Sequence, residues 1–135
     1  MKAGQAGMAE VQMGQMAGTK ASSAEVKAFA QRMVTDHGTS NEELKQLATI
    51  KGLALPTDVA EPHKQAASHL DGLSGAAFDK AYMQHMVDDH QKAVQDFQTA
   101  SVSATDADLK AWATAKLPAL QEHLRMAQAA SAKLR

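Results

Sequence analysis

Two phrases in this chain hold the side chains best suited to chemistry: Gln31-Arg-Met-Val-Thr-Asp36-His37 and Gln84-His-Met-Val-Asp-Asp89-His90, their histidines 53 residues apart. A neutral imidazole is the commonest protein ligand for a transition metal, and a carboxylate is the usual group that orients it. The same groups could instead form a hydrogen-bonded polar centre, because a buried imidazole needs partners for both ring nitrogens. Asp36 and Asp89 precede their histidines by one residue, about 100° around a helix. Each therefore reads as a ligand, an orienting group or a surface residue.

The elements that must position these residues are helices. Aromatics make up only 4% of the chain, Ile50 is the only isoleucine, and the 44% hydrophobic fraction leans on 28 Ala and 8 Met. Strand propensity is low throughout, whereas Ala, Leu, Met, Glu, Gln and Lys favour helix. The composition is all-α, and 135 residues suit a single domain spanning 1–135. A net charge of −1 with intermixed signs excludes the basic stripe of a nucleic-acid binder. No run approaches the roughly 18–20 apolar residues of a membrane span. The absence of cysteine removes disulfides, thiolate ligands and thiol catalysis. No Ser/His/Asp order, phosphate-cradling glycine loop or HExxH pattern is present.

Punctuation marks five helical stretches. The first covers about 3–19, ending near Gly18. Ser22-Ser-Ala-Glu25 reads as a capping box opening the second, which runs to Lys51 with Gly52 as C-cap and Pro56 blocking continuation. Asp58-Val-Ala-Glu61 caps a third, about 59–72. Gly72 and Ser74-Gly75 separate it from a fourth, about 76–102, and Thr105-Asp-Ala-Asp108 caps a fifth, about 106–133. Pro118 removes one backbone bond from the fifth helix and should bend it. Short connections make successive helices antiparallel, giving an up-down bundle. Residues 24–37 and 77–90 agree at eight of fourteen positions, which favours duplication of a helical hairpin.

Helical phasing places the candidates. The apolar seams read Val26, Phe29/Ala30, Met33, His37, Leu44, Leu47, then Tyr82/Met83, Met86, His90, Ala93/Val94, Phe97, then Leu109, Trp112/Ala113, Leu117, Leu120, His123/Leu124, Ala127. His37, His90 and His123 thus share the interior with methionines one turn away, which read as core filler or, alternatively, as thioether ligands for copper. On the first helix, Ala6, Glu10, Met13 and Ala17 form one face, while Met8, Val11, Gln15 and Met16 form another. If the first turns inward, Glu10 enters the core opposite His37, with Gly14 and Gly18 allowing close approach. His85 and Asp89, four residues apart, form a surface pair that could hold a cation. His63 and His69 read as solvent-facing or capping, and Lys27, Lys80 and Lys110 as solvated flanks.

The run Ala9-Glu10-Val11, Glu25-Val-Lys-Ala-Phe-Ala-Gln-Arg-Met-Val-Thr-Asp-His37, Asn41-Glu-Glu-Leu44, Lys51-Gly52 and Leu55-Pro56 resembles a bacterial domain-of-unknown-function family, number 4142. Leu73-Ser-Gly-Ala-Ala-Phe-Asp-Lys-Ala-Tyr-Met83, Met86-Val-x-Asp-His90 and Leu117-Pro-x-Leu-x-x-His123-Leu124 extend the resemblance over nearly the whole chain. It implies a ferritin-like helical bundle of four to five helices, made with an export leader. The opening Met1-Lys2-Ala3-Gly4 has no apolar leader core, so the expected location is periplasmic or secreted after leader removal, with a cytosolic protein as the alternative.

Ferritin-like di-iron enzymes use Glu-x-x-His on two helices. Here Val34 and Val87 stand three residues before His37 and His90. A di-iron centre is therefore not expected. The leading expectation is a non-enzymatic envelope protein holding Zn or Cu through His37, His90 and His123, with Glu10, Asp36 or Asp89 as fourth ligand or orienter. The alternative is a metal-free structural or interaction protein whose core histidines are satisfied by hydrogen bonds. A small metalloenzyme is the third class, and it would need an open coordination position and a cleft. No protein partner is indicated.

Overall fold

The computed structural model describes residues 2–54 and 61–134, and these form five α-helices and no strand. They are α1 (Lys2–Lys20), α2 (Ala24–Lys51), α3 (Glu61–Asp71), α4 (Gly75–Ser103) and α5 (Ala107–Ala132). Pro56, Asp58 and the expected first turn of the third helix lie outside the described residues. No described helix is long and apolar enough to cross a membrane. α5 continues through Pro118. The chain comprises two compact units, one running to Tyr82 and the other formed by Met83–Lys133.

In the first unit α1 packs along α2. Gly7 faces Asn41 while Gly14 faces Val34, so position rises on one helix as it falls on the other and the pair is antiparallel. The inward face of α1 carries Ala9, Glu10, Met13 and Ala17, all buried, which settles the choice left open by the sequence. Against it α2 buries Val26, Phe29, Ala30, Met33, Leu44 and Ala48. Ala48 takes the place expected of Leu47, which is half-buried. Gly14 is a contact residue: a methyl there would come within 2.8 Å of Val34 Cγ2 and 3.0 Å of the Ala30 carbonyl oxygen. Gly18 does not share this role. Open space surrounds it, so the close approach belongs to Gly7 and Gly14.

A buried carboxylate sets where α2 begins. Asp79, 2% exposed, accepts from the Ser22 amide at 3.1 Å, the Ser22 hydroxyl at 2.8 Å and the Ser23 amide at 3.0 Å. Because the Ser22 hydroxyl is committed to Asp79, Ser23 becomes the N-cap, its side chain accepting from the Val26 amide at 3.4 Å. The cap therefore falls one residue later than the Ser22–Glu25 spacing suggests. Gly52, at φ 69°, ends the helix in the left-handed conformation that glycine adopts without penalty. Phe78 stacks on Tyr82 at 5.6 Å, and Phe29 meets Tyr82 edge-on at 6.3 Å. Lys20 closes the end of α1 onto α3, donating to the Asp71 carbonyl at 2.9 Å.

In the second unit α4 and α5 are also antiparallel. His90 meets His123 and, further along α4 but earlier on α5, Phe97 meets Trp112 with ring centroids 5.4 Å apart. Asp106 caps α5, accepting from the Asp108 and Leu109 amides at 2.9 and 3.1 Å. Met83, Met86, Ala113, Leu120, Ala127 and Ala130 are buried around the two imidazoles.

Removing the Asp79 carboxylate takes a charged acceptor from two amides and a hydroxyl in a part-buried turn. Hydrogen bonds to a charged acceptor are worth about 1.5–3 kcal/mol each. Asp79→Ala should therefore lower unfolding free energy in urea by about 2–4 kcal/mol, and Ser22→Ala by about 1 kcal/mol. A loss below about 1 kcal/mol for Asp79→Ala would show that the tie does not hold α2 in place.

Candidate metal centre

The candidates separate by depth. His90 on α4 and His123 on α5 are 1% and 2% exposed, and Glu10 on α1 is 4% exposed. His37 on α2 is half-buried, on the same side as the fully buried Met33, so it sits at the edge of its seam. Asp36 and Asp89 are also half-buried, and each has a partner on its own helix. Arg32 Nε donates to Asp36 Oδ2 at 2.6 Å. His85 Nε2 lies 3.0 Å from Asp89 Oδ2. Of the outlying histidines, His63 is half-buried and His69 exposed, the latter giving only its backbone carbonyl to the Gly72 amide. Lys27, Lys80 and Lys110 are exposed, as their phase requires.

The second unit brings two imidazoles together. The His90 and His123 rings are perpendicular within a few degrees, at 83°, with centroids 5.5 Å apart. One ring nitrogen from each lies within 4.8 Å of the other. Two imidazoles bound to one tetrahedral ion, with metal–nitrogen bonds of about 2.0–2.1 Å, hold their centroids roughly 5 Å apart. The pair is thus set at a spacing that one ion could bridge.

His90 is also oriented. Its Nδ1 lies 2.8 Å from the Met86 carbonyl oxygen one turn earlier. That oxygen can only accept, so Nδ1 carries the proton and Nε2 keeps its lone pair. A backbone carbonyl fixing the far nitrogen is a common outer partner of metal-bound histidines. The contribution of Met86 is thus its carbonyl and its packing bulk. Burial pushes His90 down from 6.5 to about 4, against the opposing pull of the Met86 carbonyl, with the His123 charge adding to the lowering. At neutral pH the ring is uncharged, the form that ligates metals.

In the first unit the buried Glu10 carboxylate acts through space on the buried Tyr82 phenol. Burial first, then the Glu10 charge, hold the Tyr82 phenol well above its ordinary range, so it stays protonated. Asp79 is the buried polar residue the sequence reading passed over. A signal existed: it stands where the first copy of the repeat has Val26, one turn before Tyr82/Met83 on the α4 seam.

An all-α chain of antiparallel helix pairs with paired imidazoles in its interior defines a helical-bundle protein with a histidine-lined core. More narrowly, the chain belongs to the DUF4142 family, described as a domain of unknown function and matched over residues 1–130. No curated protein and no solved structure shows significant similarity to it.

The depressed His90 makes the metal-free protein sensitive to acid. An unfolded chain protonates this residue near 6.5, whereas the folded chain does so only at about 4. Between those values the unfolded state holds a proton that the folded state refuses, so stability falls as pH drops and levels off below about 4. The full loss is about 3 kcal/mol. Urea unfolding at pH 7.5 and pH 5 should show His90→Leu gaining on wild type by about 2 kcal/mol at the lower pH. Parallel pH dependence in the two proteins would contradict the burial argument.

Proposed function

We propose that this protein binds a single transition-metal ion, Zn²⁺ or Cu²⁺, with His90 and His123 as the nucleus of the site. The observation that carries this reading is the buried pair itself: perpendicular imidazoles with centroids 5.5 Å apart, one of them oriented by the Met86 carbonyl at its Nδ1. An ion bound by both rings would add folding energy.

His37 is our third donor. It closes the first copy of the repeat as His90 closes the second, and three imidazoles are a common donor set for a transition metal. Nitrogen-rich sets suit Zn²⁺ and Cu²⁺, whereas di-iron chemistry relies on several carboxylates. Glu10, a buried carboxylate, is our candidate for a fourth position. Asp36 and Asp89 are assigned outside this centre: Arg32 engages Asp36, and Asp89 lies beside His85 on the flank of α4. We place the protein in the periplasm or outside the cell, on the strength of the leader that the resemblance implies.

A second reading keeps the same histidines as structural groups. It is favoured by the His90–Met86 bond, which satisfies one ring nitrogen without any metal. Titration calorimetry separates the two. With metal bound, wild type should take up Zn²⁺ or Cu²⁺ saturably, and its unfolding free energy should rise by about 2.7 kcal/mol at a hundredfold excess over Kd. His123→Ala should abolish that gain, and His37→Ala should weaken binding at least about tenfold, as expected for loss of one ligand. Absence of saturable uptake would leave the structural reading in place. Full affinity in His37→Ala would remove His37 from the site.

A further inference from the structure

The two copies of the repeat differ at a position that changes what their aspartates can do. Arg32 in the first copy corresponds to His85 in the second, each four residues before its aspartate. In α2 the guanidinium closes directly on the carboxylate, Nε to Oδ2 at 2.6 Å. A guanidinium has no lone pair, so that pair is an ion pair and nothing else.

In α4 the geometry is different. His85 Nε2 lies 3.0 Å from Asp89 Oδ2, within reach of a hydrogen bond. Yet this nitrogen is shielded from solvent and makes no hydrogen bond among the described residues. Two donor atoms this close, one turn apart on one helix face, are placed so that both could reach a single ion. Two neighbouring ligands on one divalent ion, with bonds of about 2.0–2.2 Å, sit roughly 2.9–3.4 Å apart. The side chains are 24% and 21% exposed, so the pair lies close to the surface.

We propose that His85 and Asp89 form a second site for a divalent transition ion, independent of the buried histidine pair. One imidazole nitrogen and one carboxylate oxygen suit Zn²⁺ or Cu²⁺, and the oxygen-seeking Ca²⁺ and Mg²⁺ much less. The remaining positions are filled by water. Although Asp89 adjoins His90 in sequence, the two point about 100° apart on the helix, so one chain segment serves two separate ions.

The test is equilibrium dialysis against Zn²⁺, with metal counted per chain. Wild type should hold about two equivalents, one of them at least tenfold weaker because fewer protein ligands hold it. His85→Arg installs in α4 the ion pair that α2 already uses, so it should fold normally by circular dichroism and lose the weaker equivalent. Asp89→Asn should weaken the same equivalent. Unchanged stoichiometry and affinity in a folded His85→Arg protein would overturn the proposal. In His123→Ala, one equivalent that disappears on adding His85→Arg would uphold this site even where the buried centre fails. Wild type that takes up no Zn²⁺ would refute both sites.

Discussion

A buried carboxylate can exist in an apolar helix interface only where donors converge on it, and Asp79 is the place where this chain meets that demand. Its two oxygens collect two backbone amides and a hydroxyl from Ser22 and Ser23. The tie joins residues more than fifty positions apart in sequence, and it fixes the first turn of α2. The phase of α2 follows from that turn. Phe29, Ala30 and Met33 face inward, while Arg32 and Asp36 face one another on the flank. On α4 the stripe containing Asp79 continues through Tyr82, Met83 and Met86 to His90. The spacing that buries the carboxylate also buries the imidazole.

The buried polar groups are treated in two ways. Asp79 is fully served by fixed protein donors, so it contributes to structure alone. His90 has its Nδ1 served by the Met86 carbonyl, and its ring lies against a second imidazole. A metal-binding centre needs that combination of an oriented imidazole and a second one close by. The repeat supplied the raw material. Small differences between its copies, Val26 against Asp79 and Arg32 against His85, then gave one copy an anchor and a second pair of donor atoms.

Much of this was legible in the sequence. The five helices follow from Ala-rich periodic stretches interrupted by Gly52, Gly72 and Gly75, and their boundaries lie close to those expected. Burial of His90 and His123 followed from counting turns along seams, because a 3.6-residue period is a local property. Other features depend on contacts between distant segments. Ser23 replaced Ser22 as cap because Asp79 captured the Ser22 hydroxyl. The α1 face was ambiguous because both of its stripes carry methionines, and packing of Gly7 and Gly14 against α2 decided it. His37 shares its motif with His90 but is less buried, showing that identical local sequence does not guarantee identical depth.

The central claim is that paired interior imidazoles hold one ion. X-ray absorption at the metal edge, on protein loaded with one equivalent of Zn²⁺ or Cu²⁺, tests it most directly. The account predicts a nitrogen-rich shell at about 2.0 Å with the outer-shell scattering of at least two imidazoles, and no sulfur near 2.3 Å. An oxygen-only shell, or a single imidazole, would contradict it.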